Sequence, residues 1–310
     1  MSTFPDGLYQ YGGQPVGSAY FTSPWATAWF VDGTTGGGND NNSGLKPTEA
    51  KATVQAAVTA AGRGDVIYIR PLDYTTDASD VNRYSEAITL PYATEDLSLI
   101  GVSNTNPGNP NYGVKLQYTE TSGTCLTVNG PASHLENLCV RAEGGTNGIY
   151  YVGYGTDEYA TLAGSCGPTM NNVVVRGGQY GVQAVGGYAG VIANCRFEGG
   201  DGQDSSIYLD GHAYPMRRWQ IRNCSFVGYN GAAIDNAYIY VRTNTDLLIR
   251  DCYFDICPTD THWINATGTN LGMIANCYFD VADMTLSTGI VKGGLTAVAL
   301  WDESMAAPAG

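Results

Sequence analysis

Charged side chains are scarce in this chain, and long apolar runs are missing. Asp, Glu, Lys and Arg make up 14% of the 310 residues, against about 25% in an average soluble protein. A helical bundle draws on Ala, Leu, Glu and Lys and fits that composition poorly. Basic residues are the rarer sign, 15 against 29 acidic, and the net charge of −14 repels phosphate backbones. Nucleic acid is therefore not an expected partner. The longest apolar stretches, such as residues 295–301, fall far short of the roughly 20 residues a spanning helix needs, so no membrane partner is expected. The opening MSTFPDGLYQYGG has neither the basic nor the apolar region of a secretory signal, and none is expected. No cysteine occurs in the first 124 residues. The three histidines (His134, His212, His262) are scattered along the chain.

What is present in quantity is glycine (41), tyrosine (22) and an apolar share of 43%. That mixture suits short strands joined by tight corners. The eight cysteines are Cys125, Cys139, Cys166, Cys195, Cys224, Cys252, Cys257 and Cys277. They sit inside apolar strand patterns, which favours small buried thiols over a disulfide framework.

Four of them belong to a repeat. Ile192-Ala-Asn194-Cys195-Arg-Phe197 matches Ile221-Arg-Asn223-Cys224-Ser-Phe226, Ile249-Arg-Asp251-Cys252-Tyr-Phe254 and Ile274-Ala-Asn276-Cys277-Tyr-Phe279. Weaker copies are Leu135-Glu-Asn137-Leu138-Cys-Val140 and Met170-Asn-Asn172-Val173-Val-Val175. The corner positions 137, 172, 194, 223, 251 and 276 are separated by 35, 22, 29, 28 and 25 residues. Those steps suit a solenoid of short strands with variable loops, and the intervening segments lack a helical period. Asn or Asp fits the corner because it tolerates the left-handed region. Stacked coils place Asn194, Asn223, Asp251 and Asn276 in one ladder and Cys195, Cys224, Cys252 and Cys277 in a parallel ladder inside, about 4.8 Å per coil. A further strand follows each corner phrase near residues 148–152, 181–185, 206–209, 237–241, 263–266 and 289–291. Upstream, a strand at 29–31, a Gly/Asn loop, a short helix at 53–61 ended by Gly62 and a strand at 65–70 read as a cap over the solenoid's open end.

The cap segment carries Val31-Asp32, Gly38-Asn39-Asp40-Asn41-Asn42-Ser43-Gly44, Pro47, Thr53-Val-Gln-Ala-Ala-Val58 and Gly64-Asp65-Val-Ile-Tyr-Ile69. This order resembles the opening segment of right-handed parallel β-helix proteins of the pectin-lyase-like superfamily. The resemblance covers residues 28–292 and implies an all-β solenoid with a short N-terminal capping helix. It says little about function, because one fold hosts many activities. Residues 1–27, with FPDGLYQYGGQPVG before the cap, are similar to tailed-phage virion proteins. That likeness implies an extended N-terminal arm (1–27) for anchoring and assembly, the β-helix (28–292, cap at 28–71) and a C-terminal tail (293–310). It also implies a virion location, with assembly in the bacterial host cytoplasm.

Candidate chemistry is sparse. Polygalacturonase-like members of the superfamily use paired Asp residues, a Gly-His-Gly and an Arg-x-Lys. The nearest fragments are Gly202-Gln203-Asp204, Asp210-Gly211-His212 and Arg217-Arg218. Position 205 is Ser, position 213 is Ala, and no Arg-x-Lys follows. Asp204, Asp210, His212 and Arg217 are therefore the catalytic candidates of a second reading only. Asp32, Asn39 and Asp40 form an oxygen-rich loop, a weak Ca²⁺ candidate that ordinary turn formation also explains. Cys252, Cys257 and His262 are too few for zinc. Tyrosine clusters at 150, 151, 154 and 159 and at 229, 238 and 240 suit a subunit interface or a sugar site.

The expectation is a non-enzymatic structural protein of a tailed-phage virion, with no cofactor. It would be a capsid decoration or spike, homotrimeric and attached to the capsid or another virion protein through residues 1–27. The alternative is a tailspike that binds or cleaves a host-surface carbohydrate as a polysaccharide lyase or hydrolase.

Overall fold

The computed structural model describes residues 10–11, 14–15, 26–72, 83–102, 113–119, 122–142, 147–152, 167–199, 203–211, 215–228, 234–242, 245–255, 263–267 and 270–279. The expected strand at 289–291, the tail, and all but a few residues of the arm lie outside them. So do His212, His262, Cys166, Cys257, Tyr154, Tyr159 and Tyr229.

The chain winds as a right-handed parallel β-helix whose coils stack into three parallel sheets of ten, eight and seven strands. The first sheet runs from Ala28–Val31 through His134–Glu136, Thr169–Asn171 and Met216–Arg222 to Leu271–Ala275. The second carries the residues after each corner, among them Leu138–Ala142, Arg196–Gly199 and Ser225–Gly228. The third contains Ile88–Leu90, Thr124–Val128, Asn147–Tyr151, Tyr180–Val185, Gln203–Asp210, Ile234–Val241 and Ile264–Ala266.

The corner between the first and second sheets is set by the repeat. Asn137, Asn172, Asn194, Asn223, Asp251 and Asn276 all take positive φ, from 51° to 55°. A residue with a β-branched side chain would be strained there, whereas a short amide both tolerates the conformation and bonds its neighbours. Asn172 Nδ2 donates to Asn137 Oδ1 (2.7 Å), Asn223 Nδ2 to Asn194 Oδ1 (3.3 Å) and Asn276 Nδ2 to Asp251 Oδ1 (3.3 Å). The residue after the corner turns inward: Cys195, Cys224 and Cys252 are each 2% exposed, and Cys277 continues the row. Two residues on, Phe197, Phe226 and Phe254 stack at 4.9 and 4.7 Å with nearly parallel rings. Ile192, Ile221, Ile249 and Ile274 face them across the core. The described cysteines are free thiols. Burial raises the Cys224 thiol well above its usual range, and the Cys125 thiol to about 12.

Cys139 breaks the inward pattern. It is paired with Lys115 and Val174 on the outer side of the second sheet, where Val140 takes the inward place. It is nevertheless buried, and burial with the Glu198 charge raises its thiol to about 11. Packing is tight where the coil narrows. A Cβ at Gly190 would lie 2.5 Å from the ring of Trp219, itself 1% exposed.

The cap is held by carboxylates. Helix α1 spans Val54–Ala60, with Thr53 as its N-cap accepting from the Ala56 N–H. Glu86 accepts from the N–H groups of Val54 (2.8 Å) and Gln55 (2.9 Å), which ties the helix to the first coil. Asp40 accepts from the N–H groups of Ala52 and Thr53 and from the Thr53 hydroxyl. Asp32 pairs with Arg70 at 2.9 Å, and Asn39 Oδ1 accepts from the Asn41 N–H. These bonds of Asp32, Asn39 and Asp40 to their own chain are the turn-forming role that the sequence offered beside Ca²⁺. No helix among the described residues is long and apolar enough to cross a membrane.

Candidate functional site

Alternation along the third sheet sends one row of side chains into the core and the next row out. The inward row is Ile88, Leu126, Ile149, Val182, Ile207, Ile239 and Ile264, all fully buried. The outward row in the same register is Thr89, Thr127, Tyr150, Gln183, Tyr208, Tyr240 and Asn265. Among the tyrosines singled out in the sequence, Tyr150 and Tyr240 belong to this outer row. Tyr151 and Tyr238 instead lie in the core.

Three rings stack along this face. Tyr180 and Tyr208 have centroids 4.6 Å apart, and Tyr208 and Tyr240 are 5.3 Å apart, with interplanar angles of 22° and 15°. The middle ring, Tyr208, is buried at 8% exposure between its two neighbours, and Tyr180 reaches it from the position paired with Ser205. At the far end of the strand, the Tyr208 hydroxyl donates to Asp210 Oδ2 at 3.1 Å, and Arg242 Nη1 approaches the same oxygen at 3.2 Å. At the near end Gln179 Nε2 donates to Asp204 Oδ2. Burial raises the Tyr180 phenol to about 12, with the Asp204 charge adding to it. Burial likewise raises Tyr208, reinforced by Asp210 and opposed by Arg242. Hydrogen bonding to Tyr208, then the charge of Asp210, raises Arg242.

The sequence candidates divide across this geometry. Asp204 and Asp210 share one strand and one sheet, six residues apart, and are linked through Tyr180 and Tyr208 stacked between them. Arg217 pairs with Tyr188 on the first sheet and does not join the third-sheet face. His212 lies outside the described residues. Among the described residues, Asp210 meets Tyr208 and Arg242, with Tyr180, Tyr240 and Asp204 alongside, and Arg217 lies on another sheet. Arg242 and Tyr180 were missed. The signal was available: Tyr180, Tyr208 and Tyr240 are separated by 28 and 32 residues, within the range of steps that separates the corner residues.

No protein-family model and no curated protein sequence matches the chain. Solved structures do. A pectin methylesterase from Aspergillus niger aligns over 91% of this chain and 96% of its own, with 13% identity and a TM-score of 0.51. A pectin methylesterase from carrot aligns over 86% of both chains, with 10% identity and a TM-score of 0.47. A pectate lyase covers 87% of this chain and 83% of its own, with 13% identity and a TM-score of 0.42. At such identity the likeness to the Aspergillus niger structure shows the parallel β-helix fold and transfers no site residue. The Aspergillus niger neighbour is an enzyme, and that finding overturns the expectation of a non-enzymatic chain.

Proposed function

We propose that this chain is a carbohydrate-active protein that holds a polysaccharide along the outer face of the third sheet. One observation carries the reading: stacked Tyr180, Tyr208 and Tyr240 lie on the same face as the Tyr208–Asp210–Arg242 hydrogen-bonded group. The ring spacings of 4.6 and 5.3 Å are close to the advance of one pyranose unit. Each hydroxyl can give and take a hydrogen bond, and the ring edges supply apolar contact for sugar C–H groups. Asp210 is the group placed to exchange a proton with the substrate, and Arg242 and Tyr208 fix its orientation. The remainder of the reading is the particle setting. Residues 1–27 anchor a homotrimeric tailspike to a tailed-phage particle, and the glycan belongs to the host surface. That part rests on the sequence likeness of the opening segment.

The test is incubation of the full chain with acidic and neutral polysaccharides, following new reducing ends and unsaturated products. Cleavage that disappears in Asp210→Ala supports the reading. Neither binding nor cleavage of any glycan, or cleavage unchanged by Asp210→Ala and Tyr208→Phe, removes it.

A further inference from the structure

A second group of reactive side chains sits on a different face. On the outer side of the first sheet, His134 pairs in register with Thr169 of the next coil, and Glu136 with Asn171. The Thr169 hydroxyl lies 2.5 Å from His134 Nδ1, and His134 Nε2 lies 3.0 Å from Glu136 Oε2. Asn171 Nδ2 donates to the other carboxylate oxygen at 3.1 Å, and Asn194 Nδ2 donates to Asn171 Oδ1 at 2.7 Å. Glu136 accepts only, so Nε2 carries the proton and Nδ1 presents its lone pair to the Thr169 hydroxyl. Hydroxyl, imidazole and carboxylate are thereby linked in line, as nucleophile, base and orienting group. The carboxylate is 6% accessible and the imidazole 22%, so the orienting end is buried while the base retains a path to solvent.

The same outer row continues from Thr169 through Val191 to Gln220, Leu248 and Met273. There a shallow groove of ≈ 350 Å³ opens, lined by Gln220, Leu248 and Met273 among others. Its near wall is two strands from Thr169, about 10 Å away. An apolar chain lying in that groove can reach a bond held over the hydroxyl.

We propose that Thr169, His134 and Glu136 form an esterase site on the first sheet, acting on carboxylic esters of small alcohols or acylated hydroxyl groups. Thr169 Oγ1 bonds to the acyl carbon as its proton passes to His134 Nδ1. The ester C–O bond breaks, and the leaving alkoxide takes that proton, leaving an acyl-Thr169. Water then attacks the acyl carbon, giving one proton through His134 back to Thr169 and releasing the acid. The sum is ester plus water to acid plus alcohol. Glu136 is a positioning residue, because it acts through His134.

The experiment uses the purified full chain with p-nitrophenyl acetate and butyrate. Release of p-nitrophenolate above the buffer rate is expected, together with an acyl adduct on the Thr169 peptide in quenched samples by mass spectrometry. Thr169→Val keeps the β-branched shape for the strand but removes the hydroxyl. It and His134→Asn are expected to lower the rate by about 100-fold or more, while Thr169→Ser retains activity. Glu136→Gln is expected to lower kcat with KM unchanged. No hydrolysis and no adduct, or a Thr169→Val protein as active as the parent, overturns the proposal and leaves the three residues a structural hydrogen-bond chain. The glycan-face reading is untouched by either outcome, since it concerns another sheet and another assay.

Discussion

Two aromatic ladders run along this molecule, both repeating with the coil, and they differ in almost everything else. Phe197, Phe226 and Phe254 stack inside, shielded from water. Tyr180, Tyr208 and Tyr240 stack outside, bounded by Asp204, Asp210 and Arg242. Equal geometry with unequal surroundings separates what the stack itself gives, which is register and rigidity, from what its polar rim adds, which is chemistry. The inner ladder is about fold; the outer one sets phenols beside charge on the face where the glycan is proposed to lie.

The strongest way to break the comparison is alkali, which acts inside and outside together. The Cys125 and Cys139 thiols are raised from 9.0 to about 12 and about 11, and the Tyr180 phenol from 10.0 to about 12. Raised values mean that the unfolded chain loses these protons first. Their contribution is fully present below about pH 9 and is lost as pH rises toward 12. For the two buried thiols this amounts to several kcal/mol, comparable with a domain's whole stability. Cooperative unfolding between pH 10 and 12, followed by circular dichroism, is the expected result.

Phe226→Ala strikes the inner ladder alone and is expected to cost about 3–5 kcal/mol in denaturant unfolding. Glycan binding per folded molecule should stay unchanged. Asp210→Asn strikes the outer rim alone. Polysaccharide cleavage is expected to fall about 100-fold, roughly 2.7 kcal/mol, with the denaturation midpoint shifted little. Asn223→Ala removes a corner amide at positive φ, together with its bond to Asn194. A loss of about 1–2 kcal/mol is expected, read in thermal melts, with both ladders intact in the remaining folded population.

The fold was legible because its determinants are local and repeated. Asn194-Cys195-x-Phe197 contains the left-handed corner, the inward turn and the core residue within four positions. The short helix was equally plain, since Thr53 caps it and Gly62 follows it. The site was harder to read for a geometric reason. Grouping Asp204, Asp210 and Arg217 by nearness in sequence joins two residues of one third-sheet strand to a third on a different sheet. Contact in a solenoid belongs to residues one coil apart. Asp210 meets Arg242 across 32 positions and His134 meets Thr169 across 35, the same step that links Asn137 to Asn172. Reading the charged and aromatic residues at the period of the asparagines would have found both groups. The loops before and after the third-sheet strands vary in length from coil to coil, and no local pattern in them indicates which residues meet.

The corner asparagines have a consequence for how such a chain can change over generations. Each corner takes the same left-handed backbone turn, so a whole coil could be duplicated or deleted without redirecting those beyond it. The cap would keep Asp32–Arg70 and Glu86–α1, while a face such as the tyrosine row would lengthen or shorten by one unit. The molecule behaves as a ruler whose graduations are coils, and the length of ligand it can span becomes a heritable quantity set by counting.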